Sequence, residues 1–199
     1  MKQALLLLVV LASVAGKQTV RDRVEQYTSE VKRRLSPAFR AARVSYPPKQ
    51  LVLVGLKQER ALEVYAAGED GKFNLIKSYC IIAASGKLGP KLREGDSQVP
   101  EGIYEIESLN PNRLYHLSLR ISYPSKFDRA QAKQDGRKDL GGDIMIHGGA
   151  VSIGCIAVGD EAAEDLFVLA EATGNWTTGA LRLDQMSQVG ASALDGLQT

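Results

Sequence analysis

The sequence has few of the residues that usually carry chemistry or bind nucleic acid. Its 199 residues include two histidines, two cysteines and one tryptophan. Lys and Arg number 25 against 23 Asp and Glu, which leaves a net charge of only +2. Without an arginine-rich stretch interleaved with aromatic residues, this balance argues against nucleic acid as a partner. The length leaves room for one domain with a sizeable core.

The apolar run near the N-terminus is too short to span a membrane. It covers about 12 residues after Met1-Lys2-Gln3, whereas a helix needs roughly 20 residues to cross a bilayer. Ser13 and Ala15 put small residues at the −3 and −1 positions of a cut after Ala15, as in secretory signal peptides. We therefore predict a signal peptide over residues 1–16 and an exported protein, with a membrane anchor as the alternative.

The remaining chain divides into a helical segment, a β-rich domain and a tail. In the helical segment, residues 17–45, apolar residues recur every three or four positions as far as Leu35, which predicts a helix that Ser36-Pro37 should end, with room for a short helical piece to Ala42. From 46 to 172, short apolar or alternating runs are separated by turn residues, which predicts a mainly β, antiparallel domain with flanking helices. Residues 173–199 are polar and patternless, and we expect a loosely ordered tail. The predicted strands cover 51–56, 61–66, 73–83, 101–106, 115–123 and 143–146, and the predicted helices cover 128–138 and a segment capped by Asp160.

Three residues outside the main motif are candidates for substrate binding. Lys91 and Arg93 lie in a polar loop over residues 85–100, and loops of this length are usually functional or mobile. They are either solvated surface residues or ligands for a substrate carboxylate. His116 alternates with the apolar residues of a predicted strand and is either structural or part of a substrate cleft.

The strongest chemical signal is a glycine-flanked histidine and cysteine. His147 and Cys155 lie eight positions apart in a segment that is predicted to run from a buried strand through a glycine turn into a loop. A thiol is a strong nucleophile only as the thiolate, and a nearby imidazole can take its proton. Glycines on either side let the backbone turn sharply and approach a substrate. The pattern therefore favours a cysteine enzyme.

Other interpretations of the same residues remain open. A serine hydrolase built on Ser152 would need glycine two positions earlier, where Ala150 stands. Zinc needs three or four ligands, and His116, His147 and Cys155 make a thin set, so we predict no metal site. In an oxidising compartment Cys80 could form a disulfide with Cys155. We favour a free Cys155 over this bridge, because Cys80 lies in a predicted buried strand while Cys155 lies among glycines in a loop, a poor place for packing.

Three segments resemble the catalytic domain of the YkuD-type L,D-transpeptidases, in their YafK-like branch. They are residues 93–104, residues 116–124 and residues 142–156, within a resemblance that covers roughly 46–172. The resemblance implies a β-sandwich fold, a bacterial cell-envelope location, which here would be the periplasm, and action on peptidoglycan stem peptides through a thioester acyl-enzyme. It gives no reason to expect a cofactor. The alternatives are a YafK-like hydrolase that releases a wall-attached lipoprotein and a non-catalytic envelope protein that binds glycan or stem peptide.

The resemblance also assigns roles by position. Cys155 would be the nucleophile and His147 the base that activates it. The backbone N–H groups of Gly154 and Cys155 would be candidates for an oxyanion hole, Ser152 would shape the loop, and Gly148 would permit the turn after the base. The chain departs from the common motif at Ile153 and Ala157, and residues 175–199 show none of the apolar character of the final strand that is usual in the family.

Overall fold

The computed structural model describes residues 17–111, 116–173 and the backbone of 180–184. The predicted signal peptide lies outside these residues, as does most of the predicted tail. Within the described ranges, no helix combines the length and the apolar composition that crossing a bilayer requires.

The described residues form three helices and nine strands. The helices are α1 (Val20–Ala41), α2 (Lys126–Gln134) and α3 (Asp160–Ala172). The strands are β1 (Leu51–Leu56), β2 (Ala61–Ala67), β3 (Phe73–Cys80), β4 (Ala83–Ala84), β5 (Gly102–Asn110), β6 (Ser118–Ile121), β7 (Met145–His147), β8 (Ile156–Ala157) and β9 (Ala180–Asp184).

The strands hydrogen-bond in the order β3-β2-β1-β9-β5-β6-β7-β8-β4. β5 belongs to both halves of this arrangement: its first residues pair with β9 and its last residues pair with β6. A register shift between Ile106 and Ser108 lies where the partner changes, and such irregularities bend a strand. The expected mainly β fold with flanking helices is confirmed. The pairing is not purely antiparallel, because β1 with β9 and β7 with β8 run parallel.

The predicted strand 73–83 is divided where the chain passes from one half to the other. β3 ends at Cys80, and the Ile81 N–H then donates to the Arg60 carbonyl at the β1–β2 turn. The next N–H, that of Ile82, donates instead to the Ala157 carbonyl of β8. This change of partner starts β4 against β8. It also brings the following loop to the half of the sheet that contains β7 and β8.

The expectation of a patternless tail is wrong for residues 180–184. β9 lies between β1 and β5, parallel to the first and antiparallel to the second. The signal in the sequence is only the five-residue alternation Ala180-Leu181-Arg182-Leu183-Asp184 within a polar stretch. Long-range pairing with two strands, rather than local propensity, makes this segment a strand.

The expected break at Ser36-Pro37 is also wrong, because α1 continues through Pro37 to Ala41. Proline removes one helix hydrogen bond and crowds the preceding turn, at a cost of about 3 kcal/mol. Leu35 and Phe39 flank it and are 0% and 1% exposed within the main core. Burial of each such side chain contributes about 1.5–3 kcal/mol, so packing on both sides offsets the proline.

A buried carboxylate fastens α1 to the rest of the domain. Asp165 on α3 is fully buried and forms ion pairs with Arg34 of α1 at 2.8 Å and Lys77 of β3 at 3.2 Å. The Tyr79 hydroxyl donates to the same carboxylate at 2.8 Å. Burial, followed by the charge of Asp165, raises the pKa of Tyr79 far above its usual value. One carboxylate therefore ties together two helices and a strand that are distant in sequence.

We expect Asp165→Asn to lower the free energy of unfolding by roughly 2 kcal/mol, because Lys77 loses its ion pair and Arg34 keeps only its pairs with the less buried Glu30 and Glu164. Urea denaturation followed by circular dichroism would measure the change. Glu25→Gln, which removes the exposed ion pair with Arg21, is the matched control and should have no measurable effect. Equal stability of the two variants would contradict the anchoring role of Asp165.

Candidate functional site

Two short parallel strands bring His147 and Cys155 together. β7 and β8 pair in a register that sets Ile146 opposite Ile156 and His147 opposite Ala157. Cys155 directly precedes β8, and side chains two positions apart on a strand point to the same face. His147 and Cys155 therefore share one face of the sheet, opposite to the face on which Ile146 and Ile156 enter the core.

His147 is held as a neutral base. Its side chain is 2% exposed, and Nδ1 lies 2.6 Å from the Gly148 carbonyl oxygen. A carbonyl oxygen can only accept, so Nδ1 carries the proton and the imidazole lone pair is on Nε2. Burial lowers the pKa of His147, and the hydrogen bond to Gly148 opposes this only in part. The imidazole consequently stays unprotonated, and able to accept a proton, at and below neutral pH.

Cys155 is held as a neutral thiol. The side chain is partly exposed, and the thiol donates to the Asp143 carbonyl oxygen at 3.7 Å. Burial raises the pKa of Cys155, and the nearby charge of Asp143 adds to this, while a hydrogen bond from the Met145 backbone and the charge of Lys91 act in the opposite direction. The resting site thus contains a thiol and an imidazole rather than a thiolate–imidazolium pair.

Two serine hydroxyls fix the backbone around Cys155. Ser152 Oγ donates to the Cys155 carbonyl at 2.6 Å, which closes the turn that contains the nucleophile. The Gly154 N–H donates to Ser85 Oγ at 2.5 Å. The Gly154 N–H, one of the two expected oxyanion-hole donors, is thus bonded to a side chain in this structure, and its role in an oxyanion hole stays a prediction.

The turn after His147 is built differently from the expectation. Gly148 is buried and its N–H donates to the Leu117 carbonyl at 3.1 Å. The left-handed residue is Gly149, with φ of 72°, so Gly149 rather than Gly148 permits the turn. The Gly149 N–H donates to the Asp160 carboxylate at 2.7 Å. Asp160 is the first residue of α3 and not, as the sequence predicted, its N-cap; the N-cap is Gly159. The Asp160 side chain instead holds the turn after His147 in place.

The loop over residues 85–100 is fastened from beneath by buried lysines. Lys91 is 6% exposed and donates to Asp96 at 2.7 Å and to the Arg93 carbonyl at 2.9 Å. Burial alone would raise the pKa of Asp96, but hydrogen bonds from Lys91 and three backbone N–H groups lower it well below its usual range. Lys57 donates to Glu101 and to two carbonyls of the same loop, each at 2.9 Å. Lys91 is thus a structural cation rather than a solvated one, and Arg93 is exposed.

His116 lies just before β6 rather than in it, and has a left-handed backbone with φ of 62°. Its Nε2 lies 3.0 Å from Glu164 of α3, and its ring packs edge-on against Tyr27 of α1 at 5.6 Å between centroids. The structure therefore turns this side chain toward the two helices. The predicted strand 115–123 misplaced it because alternation cannot reveal a positive φ; its first residue, Tyr115, lies outside the described residues.

Both cysteines are free. Cys80 is exposed at the end of β3 rather than buried as expected. In the part of the chain that the structure describes, no group of three or more His, Cys, Asp or Glu side chains is arranged to hold a metal ion.

Sequence analysis did not single out two residues that share the face of the histidine and cysteine. β6 pairs with β7 so that Ser118 lies opposite His147 and Arg120 lies opposite Met145. Ser118 Oγ is buried and has no hydrogen-bond partner among the described residues. Arg120 forms ion pairs with Asp143 at 3.2 Å and with a second exposed carboxylate, Glu107, at 3.1 Å. Alternation along residues 118–121 predicts that Ser118 and Arg120 share a face. Only the register with β7 shows that this is the face of His147 and Cys155.

Known proteins match the part of the chain that contains His147 and Cys155. The family model described as the L,D-transpeptidase catalytic domain, YkuD, matches residues 49–179. Over 134 residues the chain is 37% identical to YafK of Escherichia coli K12, a protein named as a candidate L,D-transpeptidase; this is 66% of the chain but only 48% of the relative's length.

Two solved structures have a similar fold. The helical cell shape determining protein Pgp2 from Campylobacter jejuni gives a TM-score of 0.55 at 22% identity, covering 86% of this chain and 59% of that one. Bd1075 from Bdellovibrio bacteriovorus gives 0.51 at 20% identity, covering 79% and 56% respectively. At these identities the likeness supports the fold alone.

The pKa shifts predict a displaced alkylation profile for Cys155. Because burial raises the pKa of this thiol, its rate of reaction with iodoacetamide should rise with pH to a midpoint above about 8.5, the usual value for cysteine. Peptide mass spectrometry between pH 6 and 10 would give the rate at each cysteine, with exposed Cys80 as the internal control for reagent chemistry. A Cys155 midpoint below about 7.5 would contradict a neutral resting pair.

Proposed function

Since this chain belongs to the YkuD family of L,D-transpeptidase catalytic domains, we propose that it is a cysteine L,D-transpeptidase of the bacterial cell wall. Its substrates are the stem peptides of peptidoglycan, and its reaction passes through a thioester on Cys155. The protein is exported, and it acts in the periplasm during wall biogenesis or remodelling. No cofactor takes part in the reaction.

One observation carries this proposal: Cys155 and His147 share one face of the sheet through the parallel register of β7 and β8. Cys155 is partly exposed, so a substrate can reach it, while His147 is almost fully buried behind it. The Nδ1 hydrogen bond to the Gly148 carbonyl fixes the tautomer in which Nε2 is the base. This arrangement has the elements of nucleophilic catalysis: nucleophile, base and a group that orients the base.

The proposed reaction regenerates the Cys155 thiol and the neutral His147 imidazole at its end. Nε2 of His147 takes the Cys155 proton as sulfur attacks the carbonyl carbon of an amide between an L-centre and a D-centre. The carbon–nitrogen bond breaks, and the departing amine leaves with the proton from His147, so that a thioester remains. An acceptor amine then attacks the thioester, His147 takes its proton, and the regenerated thiol receives that proton. Because both groups start neutral, deprotonation accompanies attack on the substrate.

Arg120 and Arg93 are the candidates for binding a substrate carboxylate. Arg120 shares the face of Cys155, and both of its carboxylate partners are exposed side chains that a substrate carboxylate could replace. Arg93 is exposed in the loop that packs beside the nucleophile, and it remains a candidate. Lys91 and His116 would act at a distance, Lys91 by holding that loop and by its charge near Cys155, and His116 through α3.

Water could replace the acceptor amine. The protein would then be a hydrolase, and a wall-attached lipoprotein would be one substrate to release. Val151 and Ile153, beside the nucleophile, are 73% and 84% exposed. An apolar rim of this kind would be covered by a bound acceptor, which would exclude water and favours transfer.

We expect Cys155→Ala to abolish turnover and His147→Ala to reduce it by roughly 10²–10⁴-fold, because general base catalysis typically contributes that much. Intact mass after incubation with a carbapenem would report acylation, and the adduct should map to Cys155. Cys80→Ser is the matched control and should be acylated like the wild type. An adduct on Cys80 alone, or full activity in Cys155→Ala, would contradict the assignment.

Product analysis separates the two reactions. Purified protein is incubated with stem peptides that contain the L-to-D amide, with and without an added D-amino acid as acceptor amine. A transpeptidase yields the exchanged peptide by mass spectrometry, whereas a hydrolase yields the shortened acid.

Because the pKa of His147 is lowered, the acid limb of kcat/KM should fall below about pH 6.5, the usual histidine value.

A further inference from the structure

Ser85 lies at the nucleophile because of strand register. β4 pairs antiparallel with β8, with Ala83 opposite Ala157 and Ala84 opposite Ile156. Ser85 follows β4 and Cys155 precedes β8, so one further step in the same register sets Ser85 opposite Cys155. The residue belongs to the start of a loop by sequence, but by position it is the neighbour of the nucleophile.

The hydrogen bonds around Ser85 form a chain with a fixed direction. Ser85 Oγ accepts from the Gly154 N–H at 2.5 Å. Ser152 Oγ uses its single proton to donate to the Cys155 carbonyl at 2.6 Å. In the long contact of 3.5 Å between the two hydroxyls, Ser85 must therefore be the donor, because a hydroxyl has only one proton to give.

This chain of hydrogen bonds encloses the backbone on both sides of Cys155, the proposed nucleophile. It starts at the N–H of Gly154 and ends at the carbonyl of Cys155, so it spans the two residues that set the direction of the thiol. Gly154 has a left-handed backbone, with φ of 88°, and only contacts of this kind hold a glycine in one conformation. Ser152 lies on the same loop as Cys155, whereas Ser85 is anchored in a separate strand. Ser85 is thus the link that ties the nucleophile loop to the sheet.

We propose that Ser85 is a positioning residue for the acylation of Cys155: its hydroxyl holds the Gly154 N–H and so fixes the direction from which the sulfur attacks. This inference rests on the proposed function. It also reassigns the Gly154 N–H, which holds the loop in place instead of stabilising the oxyanion. The Cys155 N–H is left as the backbone donor for that task.

The test compares Ser85→Ala with Ser85→Thr, which keeps the hydroxyl. Ser85→Ala should lower kcat about tenfold with KM within twofold, because a misdirected nucleophile affects the chemical step rather than binding. Ser85→Thr should restore most of the loss. Ser78→Ala, the same change at an exposed serine on β3, is the control and should match the wild type.

A second measurement does not depend on activity. Hydrogen–deuterium exchange by NMR should show the Gly154 amide exchanging roughly fivefold to tenfold faster in Ser85→Ala, since one hydrogen bond contributes about 1 kcal/mol. The pH midpoint and the extent of Cys155 alkylation should stay unchanged, which distinguishes positioning from unfolding or altered thiol ionisation. If Ser85→Ala fails to fold, Ser152→Ala breaks the same chain at its second link and should also lower kcat.

The outcomes separate this inference from the proposed function. A rise in kcat in Ser85→Ala would overturn it, because Ser85 would then be blocking an oxyanion donor. Unchanged kcat, or a loss that threonine does not restore, would overturn it while leaving the transpeptidase assignment intact. A wild-type protein that neither reacts with a carbapenem nor turns over stem peptides would sink the function and the inference together.

Discussion

The site depends on one pairing, in which β7 (Met145–His147) and β8 (Ile156–Ala157) run side by side in parallel. Parallel strands are usually joined by a dozen or more residues, yet here only residues 148–155 connect them. The left-handed conformations of Gly149 and Gly154 make so tight a return possible. Strands of two or three residues are not stable alone, so β6 on one side and β4 on the other hold the pair in register. His147 and Cys155 are therefore placed by the sheet, and the loop between them only has to close.

The electrostatics of the site follow from where that sheet face lies. His147 is buried enough to stay neutral, and burial also keeps Cys155 protonated. A neutral thiol is a poor target for oxidants and stray electrophiles, so burial also protects Cys155 from unwanted modification. The ammonium of Lys91 lies near the thiol but is paired with Asp96, so it does not turn the resting thiol into a thiolate.

The sequence predicts the family and a candidate histidine–cysteine pair more readily than the geometry around that pair. His147, Cys155 and their glycines could be recognised because residue type and spacing alone restrict what such a segment can do. Pro37 was misread because its neighbours, Leu35 and Phe39, are buried by elements distant in sequence, and local rules do not include tertiary packing. Ser85 and Arg120 could not be found, because their importance depends on strand register, and register is set by partners that a single sequence does not reveal.

The position of β9 bears on the order in which the protein can form. The C-terminal strand of the described residues, β9, lies inside the sheet, between β1 and β5. Until residues 180–184 have left the ribosome, both neighbours keep unpaired backbone edges, and such edges can pair with other chains. Closure of the sheet consequently has to wait for residues 180–184. The residues before β9 therefore cannot complete the strand order on their own, because β1 and β5 meet only through it.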